Sequence, residues 1–414
     1  MKSTILIFIL LISIINIKAQ DSTKTKENKI NYAIHGFIKT DYWYDSRQVV
    51  YAREGLFTLF PTDVILDNNG NDINAQKSFN YSAITSRINI KINGLKAFGA
   101  KTFGFIEADF SGMSNATINA FRLRHAYIQL DWTKSSLLLG QYWHPMFVTD
   151  VFPTVISLNT GAPFQPFNRS AQIRYTRKQK NTKIIVTAIA QRDYSNIGPL
   201  GRSFTYLSNS LVPNLNLLFQ YNKNKTTLGA AYDVKVLKPR QTTDSNIIAK
   251  TTLVSNSFMA FYKWTNNKFE FKAKAIYGEN LTENLLLGGY AVSTIDSTND
   301  TRTYTPTRHV FIWTNFIFHK NFKTFSIHPA FYFGYAKNLG TKSPNVGIYY
   351  ATGTNIDNMY RIAPSISFKS GNFMLSVELE HTTATYGSID FNGIIKPINS
   401  PANNRILITG FYFF

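Results

Sequence analysis

The chain closes on Ile406-Leu407-Ile408-Thr409-Gly410-Phe411-Tyr412-Phe413-Phe414, where Ile406, Ile408, Gly410, Tyr412 and Phe414 share one face at the two-residue period of a strand. Four aromatic residues in succession on an unpaired sheet edge invite aggregation. A closed barrel removes that edge by pairing its last strand with its first, and closure is the condition for strands to cross a bilayer. The run predicts the last strand of an all-β fold, a transmembrane antiparallel β-barrel.

The same alternation recurs upstream as far as Asn31. Residues 32–44 set Ile34, Gly36, Ile38, Thr40, Tyr42 and Tyr44 against His35, Phe37, Lys39 and Asp41. In 81–93, Ile84, Ile88, Ile90 and Ile92 alternate with Thr85, Arg87, Asn89 and Lys91. A charged residue at every second position suits a wall with lipid outside and water inside. Residues 102–110 carry Glu107 and Asp109 on their polar face. In 121–132 the phase slips, because Arg122 and Arg124 share a parity with Ala126, Ile128 and Leu130. A bulge near His125, or a stretch of wall turned to another subunit, accounts for the slip.

Counting onward through 137–143, 171–177 and the later alternating segments gives about sixteen strands, with connections that are by turns short and long, as in bacterial outer-membrane barrels. Short polar caps close 222–225, 265–268 and 369–372, whereas 45–79, 145–170, 193–213, 238–254, 279–308, 337–358 and 382–404 are long. Short turns belong on the periplasmic side, and an even count brings both termini there.

The beginning of the chain points to the same compartment. Met1-Lys2-Ser3-Thr4 carries one positive charge, residues 5–17 are apolar, and Ile17-Lys18-Ala19 precedes Gln20 as a small-residue cleavage site. The expected organisation is a signal peptide over 1–19, a short periplasmic tether over 20–30 and the barrel over 31–414. The terminal aromatic resembles the sorting signal that bacterial outer-membrane proteins present to the barrel-assembly machinery. Outer-membrane lipid and lipopolysaccharide are then the surroundings.

Composition excludes a helical membrane bundle: hydrophobic residues make up 44%, mean hydropathy is -0.14, and no later apolar stretch is long enough to span as a helix. Aromatics at 15% fit interface girdles, with Trp132, Tyr221 and Trp264 near the short turns. The chain has no cysteine, so neither a disulfide nor a thiolate metal site is available. A net charge of +20 ordinarily suggests nucleic acid, but an exported chain does not meet it. Much of that charge, including Lys134, Lys178, Lys180, Lys223, Lys225, Lys268 and Lys320, falls at or beside short turns rather than on the inner wall.

A barrel of this size leaves an aqueous channel unless something narrows it. Residues 144–170 are the candidate constriction loop, since His144-Pro145-Met146-Phe147 and Phe152-Pro153-Thr154-Val155 are too apolar to sit in water. Asp150, Asn159, Gln165, Asn168 and Arg169 are its polar groups expected at the constriction. The candidate pore lining is Lys39, Arg87, Lys91, Arg122, Arg124 and Arg174 against Asp41, Glu107 and Asp109. Forked guanidinium donors suit carboxylate and phosphate oxygens, which predicts a mild preference for small anions. Cross-strand pairing of Glu107 and Asp109 with Arg87, Arg122 and Arg124 would reduce it.

Signals for catalysis are poor. Seven histidines are scattered singly, with no zinc motif, nucleophile elbow or phosphate-binding glycine loop. The acidic tip Asp67-Asn68-Asn69-Gly70-Asn71-Asp72 lacks the glycine position and closing glutamate of a calcium loop and is taken as solvated. No enzyme activity, cofactor or metal site is expected. A structural or adhesive barrel acting through its outer loops is the alternative to a channel.

Gly36-Phe37-Ile38-Lys39-Thr40-Asp41, Arg122-Leu123-Arg124-His125-Ala126-Tyr127 and Leu139-Gly140-Gln141-Tyr142-Trp143 resemble, in sequence and order, the DcaP-like porins of the trimeric porin superfamily. The resemblance implies a sixteen-stranded homotrimer, an inward third loop and diffusion of small anionic solutes such as dicarboxylates. Phosphate-selective relatives carry a lysine cluster in that loop, whereas 146–170 holds Arg169 as its one cation.

Overall fold

The computed structural model describes residues 30–414, so the expected signal segment and nearly all of the tether lie outside the described residues. Sixteen antiparallel strands close into a barrel. In chain order they are β1 Asn31–Asp45, β2 in two pieces (Ser78–Ser82 and Arg87–Asn93), β3 Lys101–Asp109, β4 Arg122–Asp131, β5 Ser135–Trp143, β6 Arg169–Gln179, β7 Thr182–Ile189 and β8 Asn214–Lys223. The second half comprises β9 Thr226–Leu237, β10 Leu253–Thr265, β11 Phe269–Glu279, β12 Arg302–Phe318, β13 Ser326–Thr341, β14 Ile356–Ser370, β15 Phe373–Ile389 and β16 Ala402–Phe413. Each strand pairs with its neighbours in sequence. β16 closes on β1 from Phe37↔Phe413 to Asp45↔Arg405.

The pleat sorts side chains as the alternation predicts. Along β8, Leu215, Leu217 and Phe219 are exposed on the outer face, while Asn214, Asn216, Leu218 and Gln220 are buried within. Two bulges re-aim side chains. Glu107 faces His125 but Ala108 faces Leu123, which leaves Arg124 as the extra residue of β4. Arg122, Arg124 and His125 are consequently all buried on the inner side, so the slip in phase is a bulge. In β2 the register changes by one residue between Ser82↔Asp41 and Arg87↔Phe37, and the Ser86 hydroxyl accepts the Lys39 N–H at 3.0 Å in place of a ladder bond. Ile84, expected on the lipid face, therefore turns inward and packs with Trp43, Leu56 and Leu407.

The interior departs from the expectation of a uniformly wet tube. Leu218, Met259, Phe261, Ile276, Phe311, Trp313, Tyr332 and Met359, all inward from β8 to β14, join one apolar cluster with residues of three long connections. The first of these, 46–77, is not simply a polar loop: a hairpin of Val49–Ala52 and Phe57–Pro61 lies inside, and every residue of Phe57–Pro61 is buried. The second is 144–168. The third, 280–301, buries Leu281, Leu285, Leu286 and Leu287 before its strand Gly288–Ile295 pairs with β12 and with Tyr349–Thr352. Sixteen strands enclose more width than wall side chains fill, and these apolar segments fill one side of it, where they leave water.

Candidate functional site

Residues 144–168 cross the barrel and are held to β11–β15 by complementary polar contacts. Wall cations take the loop's carbonyls: Lys274 Nζ donates to Met146 O (3.1 Å) and Phe147 O (2.8 Å), and Arg361 donates to Ala162 O (2.7 Å) and to Leu59 O of the hairpin (2.6 Å). Wall acids take its amides, since the Ile156 and Ser157 N–H groups donate to Glu378 at 2.7 and 3.0 Å. Hydrogen bonds to ionised groups are about twice as strong as neutral ones. Buried backbone in a barrel interior needs such partners because no strand pairs with it.

These anchors consume much of the loop's polarity. Asn159 donates to Glu380 at 3.1 Å and to Thr58 O at 3.2 Å. Gln165 donates to Phe147 O at 2.8 Å and accepts from Trp313 Nε1 at 3.0 Å. Asn168 donates to Glu283 O at 2.8 Å. Contrary to the expectation that all five polar groups point at a constriction, these three tie protein to protein. Asp150 lies on the underside of the loop, beside Lys183 (3.3 Å) and Gln220 (2.7 Å). Arg169 alone of the five joins the charged wall.

That wall occupies the opposite side, on β2–β6. Arg124 bridges Glu107 and Asp109, each at 2.8 Å, Arg122 reaches Asp109 at 3.0 Å, and Arg87 lies 3.6 Å from Glu107. Asp193, on the connection after β7, closes the cluster with Arg169 at 2.6 Å and Arg122 at 3.8 Å. Arg174, lower on β6, has no carboxylate partner among the described residues; it donates to Gln172 Oε1 at 2.9 Å and Trp143 O at 2.6 Å and lies over the Tyr142 ring. Five guanidiniums thus face three carboxylates. Nε and Nη1 of Arg169 and Nε of Arg87 are buried without a hydrogen-bond partner among the described residues. The three remaining candidates stand apart, since Lys39 pairs with Asp41 at 3.0 Å near the β1–β16 seam, and Lys91 is exposed at the short-turn rim over the Phe103 ring. A cavity of about 230 Å³ opens beneath the loop, lined among others by Tyr142, Asp150, Arg174, Lys178, Lys183 and Gln220.

Sequence reasoning missed Asp193, which sits in a long connection with no periodicity to mark it. It also missed the buried Lys235–Glu283 ion pair, which ties β9 to the third inward connection. The apolar run Leu285-Leu286-Leu287 was the available signal for that connection, by the same criterion that singles out 144–170.

The family model of the DcaP outer membrane protein matches residues 18–279. The chain belongs to the DcaP outer membrane protein family. Its place is the bacterial outer membrane. Its fold is similar to the outer membrane channel DcaP of Acinetobacter baumannii, at a TM-score of 0.69 and 17% identity, over 94% of this chain and 99% of that one. OmpT of Vibrio cholerae, solved in a trimer form, aligns at a TM-score of 0.53 and 9% identity, covering 93% and 99%. OmpF of Salmonella typhi, in complex with daunomycin, aligns at 0.53 and 11%, covering 92% and 97%. No curated protein matches the chain. The porin-type barrel read from the alternation is the observed fold of this family member.

Proposed function

We propose that the chain is a porin, a passive channel for small hydrophilic solutes with a mild preference for anions of the dicarboxylate type. The observation that carries this reading is the division of the interior: apolar packing and loop anchors on β8–β15, a charged wall with two guanidiniums in excess on β2–β6. The solute path is then eccentric, along the partly exposed Arg174 and Arg87, backed by Glu107, Arg124, Asp109, Arg122 and Arg169, with 144–170 as the constriction loop. Fixed positive charge beside a low-dielectric wall focuses potential onto the water path. Guanidiniums that already share carboxylates replace part of an anion's hydration without holding it too tightly to leave. Arg169 and Asp109, both 0% exposed, stand behind the path and act on it through their field, whereas Arg87 and Arg174 keep part of their surface open to it.

The trimer form of OmpT supports assembly as a homotrimer in outer-membrane lipid and lipopolysaccharide, and the terminal strand ending at Phe414 is the segment offered to the barrel-assembly machinery. Planar-bilayer recording tests the channel itself. Stable steps with a reversal potential displaced toward the anion in a potassium chloride gradient are expected. A bilayer that stays sealed with folded protein inserted overturns the proposal and leaves a structural or adhesive barrel.

A further inference from the structure

Two of the seven singly spaced histidines meet across the hairpin that joins β12 to β13. Lys320↔Ile327 and Ile317↔Ala330 fix the register, so His319 stands directly opposite His328. Asn315 and Tyr332, on the same parity, are buried in the interior, whereas Phe316 and Phe331 face outward. The pleat therefore turns both imidazoles to the inner face at the short-turn mouth. Their Nδ1 atoms lie 3.0 Å apart with the ring planes at 67°. The Ser326 hydroxyl bonds Nε2 of His328 at 2.9 Å, and the His319 N–H donates to Lys268 O at 2.7 Å.

We propose that His319 and His328 form a site for a divalent transition-metal ion of the borderline class, such as Zn²⁺ or Cu²⁺. Imidazole nitrogens bind zinc at about 2.0–2.1 Å, which sets two ligands of a tetrahedral ion about 3.3 Å apart and two adjacent ligands of a square-planar ion about 2.9 Å apart. The observed separation lies between those values, so either ion is accepted with a shift of a few tenths of an ångström. When a metal binds, the imidazole that carried the hydrogen between the two nitrogens takes the tautomer protonated at Nε2, so both Nδ1 lone pairs face the ion and no proton is lost. The Ser326 contact fixes the ring of His328 with Nδ1 presented, the part that an outer hydrogen bond plays at metal sites. No third imidazole or carboxylate completes a cluster among the described residues, so water fills the other positions. The nearby cation Lys369, opposite Ser326 in register, has its ammonium over the Phe413 ring at 5.5 Å.

The site is independent of the proposed conduction path, and its test needs no conductance. Folded protein in detergent is titrated with Zn²⁺ by calorimetry, and the Cu²⁺ complex is examined by electron paramagnetic resonance for coupling to two imidazole nitrogens. One saturable ion per chain is expected, absent in the double variant His319→Gln with His328→Gln and weakened about tenfold by Ser326→Ala. Glutamine keeps the polar character of the mouth, and heat-modifiable migration on gels verifies the barrel in each variant. No saturable binding by the parent protein, or equal binding by the double variant, overturns the proposal and leaves a histidine pair that bonds only to itself.

Discussion

The Arg405 guanidinium clasps the Asp45 carboxylate with two parallel hydrogen bonds, 2.8 Å from Nε to Oδ1 and 2.6 Å from Nη2 to Oδ2, across the seam where the last strand meets the first. Both side chains are buried, and Arg405 also donates to Gly55 O at 2.7 Å, so the pair joins seam to inward hairpin. Arg405→Gln leaves a buried carboxylate without its countercharge, a class of change that costs about 3–5 kcal/mol. Urea unfolding in lipid vesicles, followed by tryptophan fluorescence, should show that loss, with Asp45→Asn added to Arg405→Gln recovering part of it. Unchanged midpoints in both variants would mean that backbone pairing alone holds the seam.

The charged wall on β2–β6 makes two predictions of opposite sign. Arg124→Gln removes the cation that Glu107 and Asp109 share, so the reversal potential should move toward the cation. Glu107→Gln removes a carboxylate facing Arg87 and Arg124 and should move it toward the anion. Each is read in the bilayer at low salt, where screening is weakest. Shifts of the same sign, or none, would show that solutes pass elsewhere.

The barrel was legible because lipid enforces the alternation one residue at a time. Leu215, Leu217 and Phe219 could not face the other way without setting Asn214 and Asn216 in hydrocarbon. Arg122 and Arg124 announced their bulge through the same rule. The interior was less legible because nothing there imposes a period. Phe57–Pro61 and Leu281 to Leu287 are buried by loops that fold back, and no two-residue pattern marks such a fold. Asn159, Gln165 and Asn168 carry polar groups that suit either a solute or a neighbouring backbone, and only coordinates reveal that the partners are Thr58, Phe147 and Glu283.

Glu378 is the point at which 144–170 can be released without disturbing the wall. Its carboxylate accepts two loop N–H groups and makes no hydrogen bond within β15. Glu378→Ala removes two hydrogen bonds to a charged acceptor, each worth about 1.5–3 kcal/mol, while the lipid face and the seam are untouched. Single channels should show larger, noisier steps, while heat-modifiable migration on gels still reports a closed barrel. Steps of parental size and quiet baseline would show that Lys274, Arg361 and Trp313 hold the loop by themselves.

Outside the membrane, Asp300 ties two extracellular connections together. Arg240 donates to its carboxylate at 2.5 Å, Arg302 at 2.9 Å, and the Asp244 N–H at 3.0 Å. Foremost the Arg240 hydrogen bond, then the Asp244 backbone and the Arg302 side chain, hold the Asp300 carboxyl well below the usual aspartate range. A carboxyl whose folded value is depressed stabilises the folded form fully above its unfolded value, about 3.9, and loses that contribution as pH falls toward the folded value. The loops should therefore stay joined at pH 5 and part only in stronger acid. Hydrogen exchange of 240–250 and 296–302 at pH 7, 5 and 3 measures this, with full protection expected at pH 7 and 5 and only a partial loss at pH 3 after correction for intrinsic rates. Asp300→Asn should exchange rapidly at all three values. Protection in that variant equal to the parent's would assign the junction to Asp244 and Arg302 instead, which lie 3.0 Å apart.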